Sequence, residues 1–421
     1  MCANRSTAAR RATLPLPILA IFLVLAASAA AAEITKGPYV LDVRPDGGQI
    51  VWESAEGGDC SVAGGPSIPA THYRTTRMNA CDLTGLAAGA EVAYRIRAGD
   101  ATAEGSFVTA PPPGRPFSFV VIGDTQEDLP DGAHESVIRA VRALPRPPDL
   151  YLNAGDIVHD GDSDADWARF FDVEHDLLAH AVFVPAIGNH DAIRGQPLHY
   201  LRYFRGHRYG AFRYGSALFV VIETQFGFGA GSAQYREIKR VLEEAQDDPG
   251  IAFRFVLCHK PPVTAGHHLP NVTVLAEYVP LFERNRVDAV FNGHNHGYEH
   301  GRVNGIHYVV TGGGGGELER EHERRPWTIA IEPSHHFCRV DVGPDAYTVT
   351  AIRSDGSVIE SFSARRGDGG RRGHLPMDLF LSLVAQHYYN KALPRVGGIA
   401  ALALVAVAGL WLRRRRRARS A

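Results

Sequence analysis

The sequence predicts an α/β fold class: a layered α/β domain preceded by a small all-β domain. Three observations lead there. Short apolar, β-rich runs at 117–122, 150–153, 182–187, 253–257 and 287–291 each lead into polar residues, as buried strands with converging C-terminal ends do. Helical patterns at 134–144, 166–179, 233–246 and 275–285 alternate with strands, which is the order of an α/β layer arrangement. Residues 34–108 instead hold short alternating strands parted by Gly and Asp turns, with no convincing helix, the pattern of a β-sandwich.

Taken in order, Arg5, Arg10 and Arg11 precede an apolar stretch at 14–25 and a small-residue run at 26–32. Together these read as a secretory signal peptide over 1–32, cleaved to leave Glu33 first; the run of alanines disfavours an uncleaved anchor. The all-β domain spans 33–110, with strands at 49–53, 72–77, 92–98 and 105–108. Four prolines make 111–116 a stiff linker. The α/β domain covers 117–365 and closes on antiparallel strands at 337–342, 346–353 and 357–363. Residues 366–395 are expected to be a linker whose Gly- and Arg-rich start lies on the surface. Residues 396–412 are 17 uncharged positions followed by the basic tail 413–421. That is the short limit of a transmembrane segment, with the arginines on the cytoplasmic side. Gly397-Gly398 before the apolar run also resembles a bacterial sorting signal, removed by a processing enzyme. Either way the protein is expected to be exported: extracytoplasmic, at the cell surface or secreted, its C-terminal anchor retained or cleaved.

A chain of 421 residues exceeds one ordinary core, so two globular domains are expected rather than one. The 45% hydrophobic share argues against a polytopic membrane protein. With Arg5, Arg10, Arg11 and the six tail arginines set aside, 35 basic residues face 46 acidic ones, a balance of −11. Such a surface lacks the basic stripe of a nucleic-acid binder. In an oxidising compartment Cys60 and Cys81 could staple the first domain. Cys258, inside an apolar run, reads as a buried thiol, and no Cys-x-x-Cys supports a structural zinc.

The chemistry-bearing segments follow the apolar runs: Asp124-Thr125-Gln126, Gly155-Asp156-Ile157-Val158-His159, Gly188-Asn189-His190-Asp191, His259, and Gly293-His294-Asn295-His296. Alone, each has a bland reading: Gly, Asn and Asp favour turns, and among 20 histidines chance pairs occur. All five in order read as a two-metal hydrolytic site. Two cations about 3.5–4 Å apart need a bridging carboxylate, and Asp156 is the candidate. Asp124, Gln126 and His296 complete a first metal site; Asn189, His259 and His294 complete a second. Mixed His, carboxylate and amide donors suit Zn, Fe or Mn over Ca or Mg. Two divalent or trivalent ions are thus the expected cofactors. His190 is the candidate catalytic acid for the leaving alkoxide, with Asp191 orienting its ring. His335-His336 reads as a surface pair, His267-His268 as a loop beside the substrate. The glycines at 312–316 follow a strand end and would let backbone pass close to the centre.

The order Asp-x-Gln, Gly-Asp-x-x-x-x-Gly, Gly-Asn-His-Asp, lone His, Gly-His-x-His resembles the calcineurin-like metallophosphoesterase superfamily over residues 117–365. His294-Asn295-His296-Gly297-Tyr298-Glu299, together with the preceding β-rich domain, looks most like its purple acid phosphatase branch. The resemblance implies a two-sheet metallophosphoesterase sandwich flanked by helices, after a fibronectin type III-like domain. Two departures matter. Gln126 stands where the superfamily commonly has His, and His159 where purple acid phosphatases have a tyrosine ligand. His159 is therefore a further metal candidate or a residue on the substrate side, and no purple charge-transfer band is expected.

The expected function is phosphate-ester hydrolysis by metal-activated hydroxide, of the acid phosphatase (phosphomonoesterase) kind, on a small phosphate-ester substrate. The alternatives are a phosphodiesterase acting on cyclic nucleotides or phospholipid headgroups, and a cell-surface binding protein with a vestigial metal domain. The remaining expected partner is the membrane, through the C-terminal segment or its processing machinery.

Overall fold

Strands such as Phe117–Ile122 and Phe253–Cys258 are buried along their whole length. An apolar strand of that kind needs cover on both faces of its sheet, and two stacked sheets with outer helices provide it. The computed structural model describes residues 33–127, 131–319, 324–371, 373 and 379. The expected signal peptide, the apolar segment at 396–412 and the basic tail lie outside the described residues. Among those described, no helix is long and apolar enough to cross a membrane.

In the first sheet, Phe117–Ile122, Leu150–Asn153 and Val182–Pro185 run parallel, in register from Phe119↔Leu150 to Asn153↔Pro185. His336–Val342, Ala346–Arg353 and Val358–Arg365 extend it antiparallel on one side. The second sheet centres on the parallel strands Ala217–Ile222, Phe253–Cys258, Ala289–Asn292 and Ile306–Thr311. Aromatic rings fill the space between the sheets: Phe119 lies 5.2 Å from Phe219, 5.4 Å from Phe255 and 6.0 Å from Phe291. Such interlocked rings make a large-to-small change here cost about 3–5 kcal/mol. The helices Ala133–Arg142 and Asp164–His180 cover the first sheet's outer face, and Trp167, Phe170 and Phe171 pack there. The helix Ala233–Glu244 belongs with the apolar cluster on the second sheet. The helical pattern at 275–285 divides into a π turn, Val274–Tyr278, and a short helix, Val279–Arg284.

The N-terminal strands do more than close on themselves. Ile34–Arg44 runs parallel to Val182–Pro185 through Val40↔Val182, so the first sheet continues into Gly47–Ser54 and Met78–Leu83, ten strands in all. A separate four-stranded sheet holds Glu91–Ala98 and Ala101–Val108. Tyr39 and Tyr94 tie this region down, their hydroxyls donating to the carbonyls of Tyr203 (2.6 Å) and Ala179 (2.9 Å). Cys60 and Cys81 form a disulfide. After the last strand, Gly369 and Gly370 are buried instead of lying on the surface, and the Gly370 amide donates to the Val287 carbonyl at 2.7 Å. Without side chains these glycines let backbone pack on backbone, which the expectation of an exposed linker missed.

Candidate metal centre

All five motif segments meet at the C-terminal ends of the parallel strands. Three residues there take left-handed backbone: Asp124 (φ 56°), Asp156 (φ 51°) and His294 (φ 75°). A non-glycine residue holds that shape at a cost of about 1–3 kcal/mol where its surroundings enforce it. The enforcing contacts are carboxylate–amide bonds. The His294 amide donates to both Asp124 oxygens (3.0 and 2.9 Å), and the His190 amide to Asp156 Oδ1 (2.7 Å). Close approach of this kind needs glycine nearby. A Cβ on Gly188 would sit 2.0 Å from Asp156 Oδ1, and one on Gly293 2.3 Å from Asp124 Oδ2.

Around Asp156 the structure gathers one group. His259 Nε2 lies 3.1 Å from Asp156 Oδ2 and 3.1 Å from Asn189 Oδ1. Ligand atoms of Asp156, His259 and His294 fall within 4.8 Å of one another. Around Asp124 a second group forms: His296 Nε2 stands 3.5 Å from Asp124 Oδ1. Gln126 is only 2% exposed, and its Oε1 has no hydrogen-bond partner. An orphaned buried carbonyl oxygen is unfavourable unless something answers it, and a cation would.

The histidine tautomers fit the same purpose. His259 Nδ1 faces the Ala154 carbonyl at 3.0 Å and His296 Nδ1 the Glu317 carbonyl at 2.8 Å. A ring that donates from Nδ1 to a carbonyl leaves the Nε2 lone pair for an ion, the usual outer support of a metal-bound imidazole. Charge agrees. Burial works against a proton on His296, yet Asp124 lifts its pKa to about 10. Burial likewise opposes a proton on His259, but Asp156 raises its pKa. Burial, then the neighbouring His259 and His268, push His294 down to about 2. The carboxylates thus call for positive charge, and His294 stays neutral. These residues fit an ion pair.

Two expectations change. Asp191 does not orient His190. Its Oδ1 accepts from the amides of Ile157 (2.9 Å) and Val158 (3.4 Å), and its Oδ2 from Gly188 (2.8 Å). It buckles the Asp156 loop to the Asn189 loop, and burial, then Asp156, raise its pKa to about 7. The His190 ring is held instead by the His159 carbonyl, 2.8 Å from Nδ1, with the two rings 5.3 Å apart. His159 is exposed and, with Gln126, His134 and Arg169, lines a cavity of about 250 Å³. The His335-His336 pair is not a surface feature either: His336 is fully buried and His335 half-buried. The glycine run behaves as expected, the Gly316 amide donating to the Asp124 carbonyl at 3.1 Å.

Sequence reasoning missed the clamp under the second histidine pair. Asn295 Nδ2 donates to Thr264 Oγ1 (2.7 Å), and Glu299 Oε2 accepts from that hydroxyl (2.8 Å) and the Ala265 amide (2.7 Å). The clamp brings His268 onto the His294 ring at 4.3 Å. Only the polar Asn295, inside the His-x-His segment, and Glu299, just after it, signalled it.

Residues 117–298 match the family model of the calcineurin-like phosphoesterases. That match and the relatives below support a calcineurin-like metallophosphoesterase, in the purple acid phosphatase-like branch. Among curated relatives of this phosphoesterase, purple acid phosphatase 1 of Ipomoea batatas is 26% identical over 57% of this chain and 55% of its own. The phosphoenolpyruvate phosphatase of Allium cepa is 24% identical over 66% and 64%. The chain therefore spans little more than half the length of the first of these. Of solved structures, the purple acid phosphatase PPD1 of yellow lupin (Lupinus luteus) matches with TM-score 0.66 at 18% identity, covering 81% of this chain and 78% of its own. PhoD matches with TM-score 0.60 at 13% identity, covering 86% and 98%. Both likenesses bear on the fold.

Proposed function

We propose that this calcineurin-like phosphoesterase is an exported, dinuclear metal-dependent hydrolase of phosphate monoesters. One observation carries the reading: the Nε2 atoms of His259 and His296 face buried carboxylates while their Nδ1 atoms are fixed on backbone carbonyls. Asp124, Gln126, Asp156 and His296 would hold one ion, and Asp156, Asn189, His259 and His294 the other. Fe, Mn or Zn suits these donors. Such a pair supplies an activated water and neutralises charge on a phosphoryl oxygen. The protein's own part is to place that charge and to move a proton. Asp191 holds the two loops together. His190, partly exposed and fixed through Nδ1, presents its other ring nitrogen to a leaving oxygen. His268, whose ring stacks on His294 at 4.3 Å, borders the same site. Residues 33–110 form a fibronectin type III-like domain in this reading, and the Cys60–Cys81 bond suits an oxidising compartment.

The test is hydrolysis of a phosphate monoester and a diester by one metal-analysed preparation supplied with Mn, Fe or Zn. Two ions per chain with preferred monoester turnover supports the reading. A protein that binds no metal, or prefers the diester, refutes it.

A further inference from the structure

Ala217–Ile222 and Phe253–Cys258 lie side by side in parallel register, ending at Ile222↔Cys258. Two residues later the Lys260 amide donates to Thr224 Oγ1 at 3.3 Å, so the strands' neighbourhood persists into the loops above the sheet. Two donors there have no acceptor. Lys260 directly follows His259 and is half-buried, and its ammonium has no ion pair or hydrogen bond among the described residues. Gln225 directly follows Thr224, and its Nε2 is buried without an acceptor.

The nearby acid does not answer them. Glu223 is taken by Arg208 at 2.9 Å and by the amides of Gln225 (2.9 Å) and Phe226 (2.6 Å). Lys260 directly follows His259, whose Nε2 lies 3.1 Å from Asp156 Oδ2, so its backbone stands beside the metal centre. Ammonium and amide NH₂ groups only donate, and a buried donor without an acceptor, as at Gln225 Nε2, is unfavourable. An anionic oxygen group arriving with substrate would answer both.

We propose that Lys260 and Gln225 form a subsite for a second anionic group, a carboxylate or a further phosphate, on the leaving-group part of the phosphate ester. This rests on the phosphoesterase reading above. The subsite binds substrate charge remote from the scissile phosphorus and so favours anionic over neutral leaving groups.

The metal-loaded full-length protein is assayed on matched pairs: 3-phosphoglycerate against glycerol 3-phosphate, and fructose 1,6-bisphosphate against fructose 6-phosphate. The first pair isolates a carboxylate, the second a further phosphate. In at least one pair kcat/KM should favour the more charged member. In Lys260→Gln that preference should fall about tenfold or more, mainly through KM, as expected for one charge-assisted hydrogen bond. Lys260→Arg should retain most of it, and Gln225→Glu should lower it by repulsion. If Lys260→Gln slows both members of each pair equally, or neither preference moves in any variant, the subsite is overturned while the phosphoesterase reading stands. A wild-type protein that hydrolyses no ester overturns both.

Discussion

Nδ1 of His190 lies 2.8 Å from the carbonyl oxygen of His159. The loop that carries the bridging candidate Asp156 therefore also aims the ring that follows Asn189. In the proposed reaction, ligand placement and proton delivery would be coupled through one backbone atom, with Asp191 fastening the same two loops from behind.

His190→Ala should keep both ions yet lose about 10²–10⁴-fold in turnover on esters of basic alcohols, the usual worth of a general acid. Activated aryl esters leave without a proton and should suffer far less. Rates on both substrates, with metal content on the same preparation, decide it. Equal losses, or missing metal, would make His190 a ligand or a structural residue.

Asp156→Asn should abolish turnover and lower metal content below two ions per chain. The amide is nearly the same size and still accepts from the His190 amide, so the fold should survive while the bridging charge is gone. Metal analysis beside a thermal melt distinguishes this from misfolding. A variant carrying two ions and turning over normally would mean the bridge lies elsewhere.

Reduction of Cys60–Cys81, or the double Ser variant, should destabilise the protein by about 3 kcal/mol. The cross-link closes a loop of 21 residues in sequence separation, and loops of that size restrict the unfolded chain by about this much. Urea unfolding with and without reductant measures it, and coincident midpoints would show that the N-terminal packing does not need the bond.

His336 should make the protein sensitive to acid. Burial depresses its pKa from 6.5 to about 4, so the folded state keeps the ring neutral where the unfolded state takes a proton. Its contribution is whole above pH 6.5 and is lost as pH falls from there towards 4, by up to about 3 kcal/mol. Comparing melting of wild type and His336→Phe at pH 7.5 and 5 tests the sign: the variant should lose less stability on acidification.

That the candidate ligands meet at one place was legible because each stands just past an apolar run, where strand-end geometry decides its position. Asp124, Asp156, Asn189, His259, His294 and His296 needed only that rule. Less was visible where the deciding contact is remote in sequence. Nothing near residues 34–44 announces that Val40 pairs with Val182. The hold of Asp191 on the Ile157 amide reaches across 34 positions, and adjacency suggested His190 instead. His336 looked exposed because a histidine doublet reads as polar, although it opens a strand buried between neighbours.

The left-handed backbone at Asp124, Asp156 and His294 has a consequence for substitution at the centre. Those conformations are held by carboxylate–amide bonds within the chain itself. The carboxylates that face the histidine rings thus also brace the backbone around them. Truncating Asp124 or Asp156 to alanine would therefore cost shape and charge together, and supplying more metal should not repair the loss.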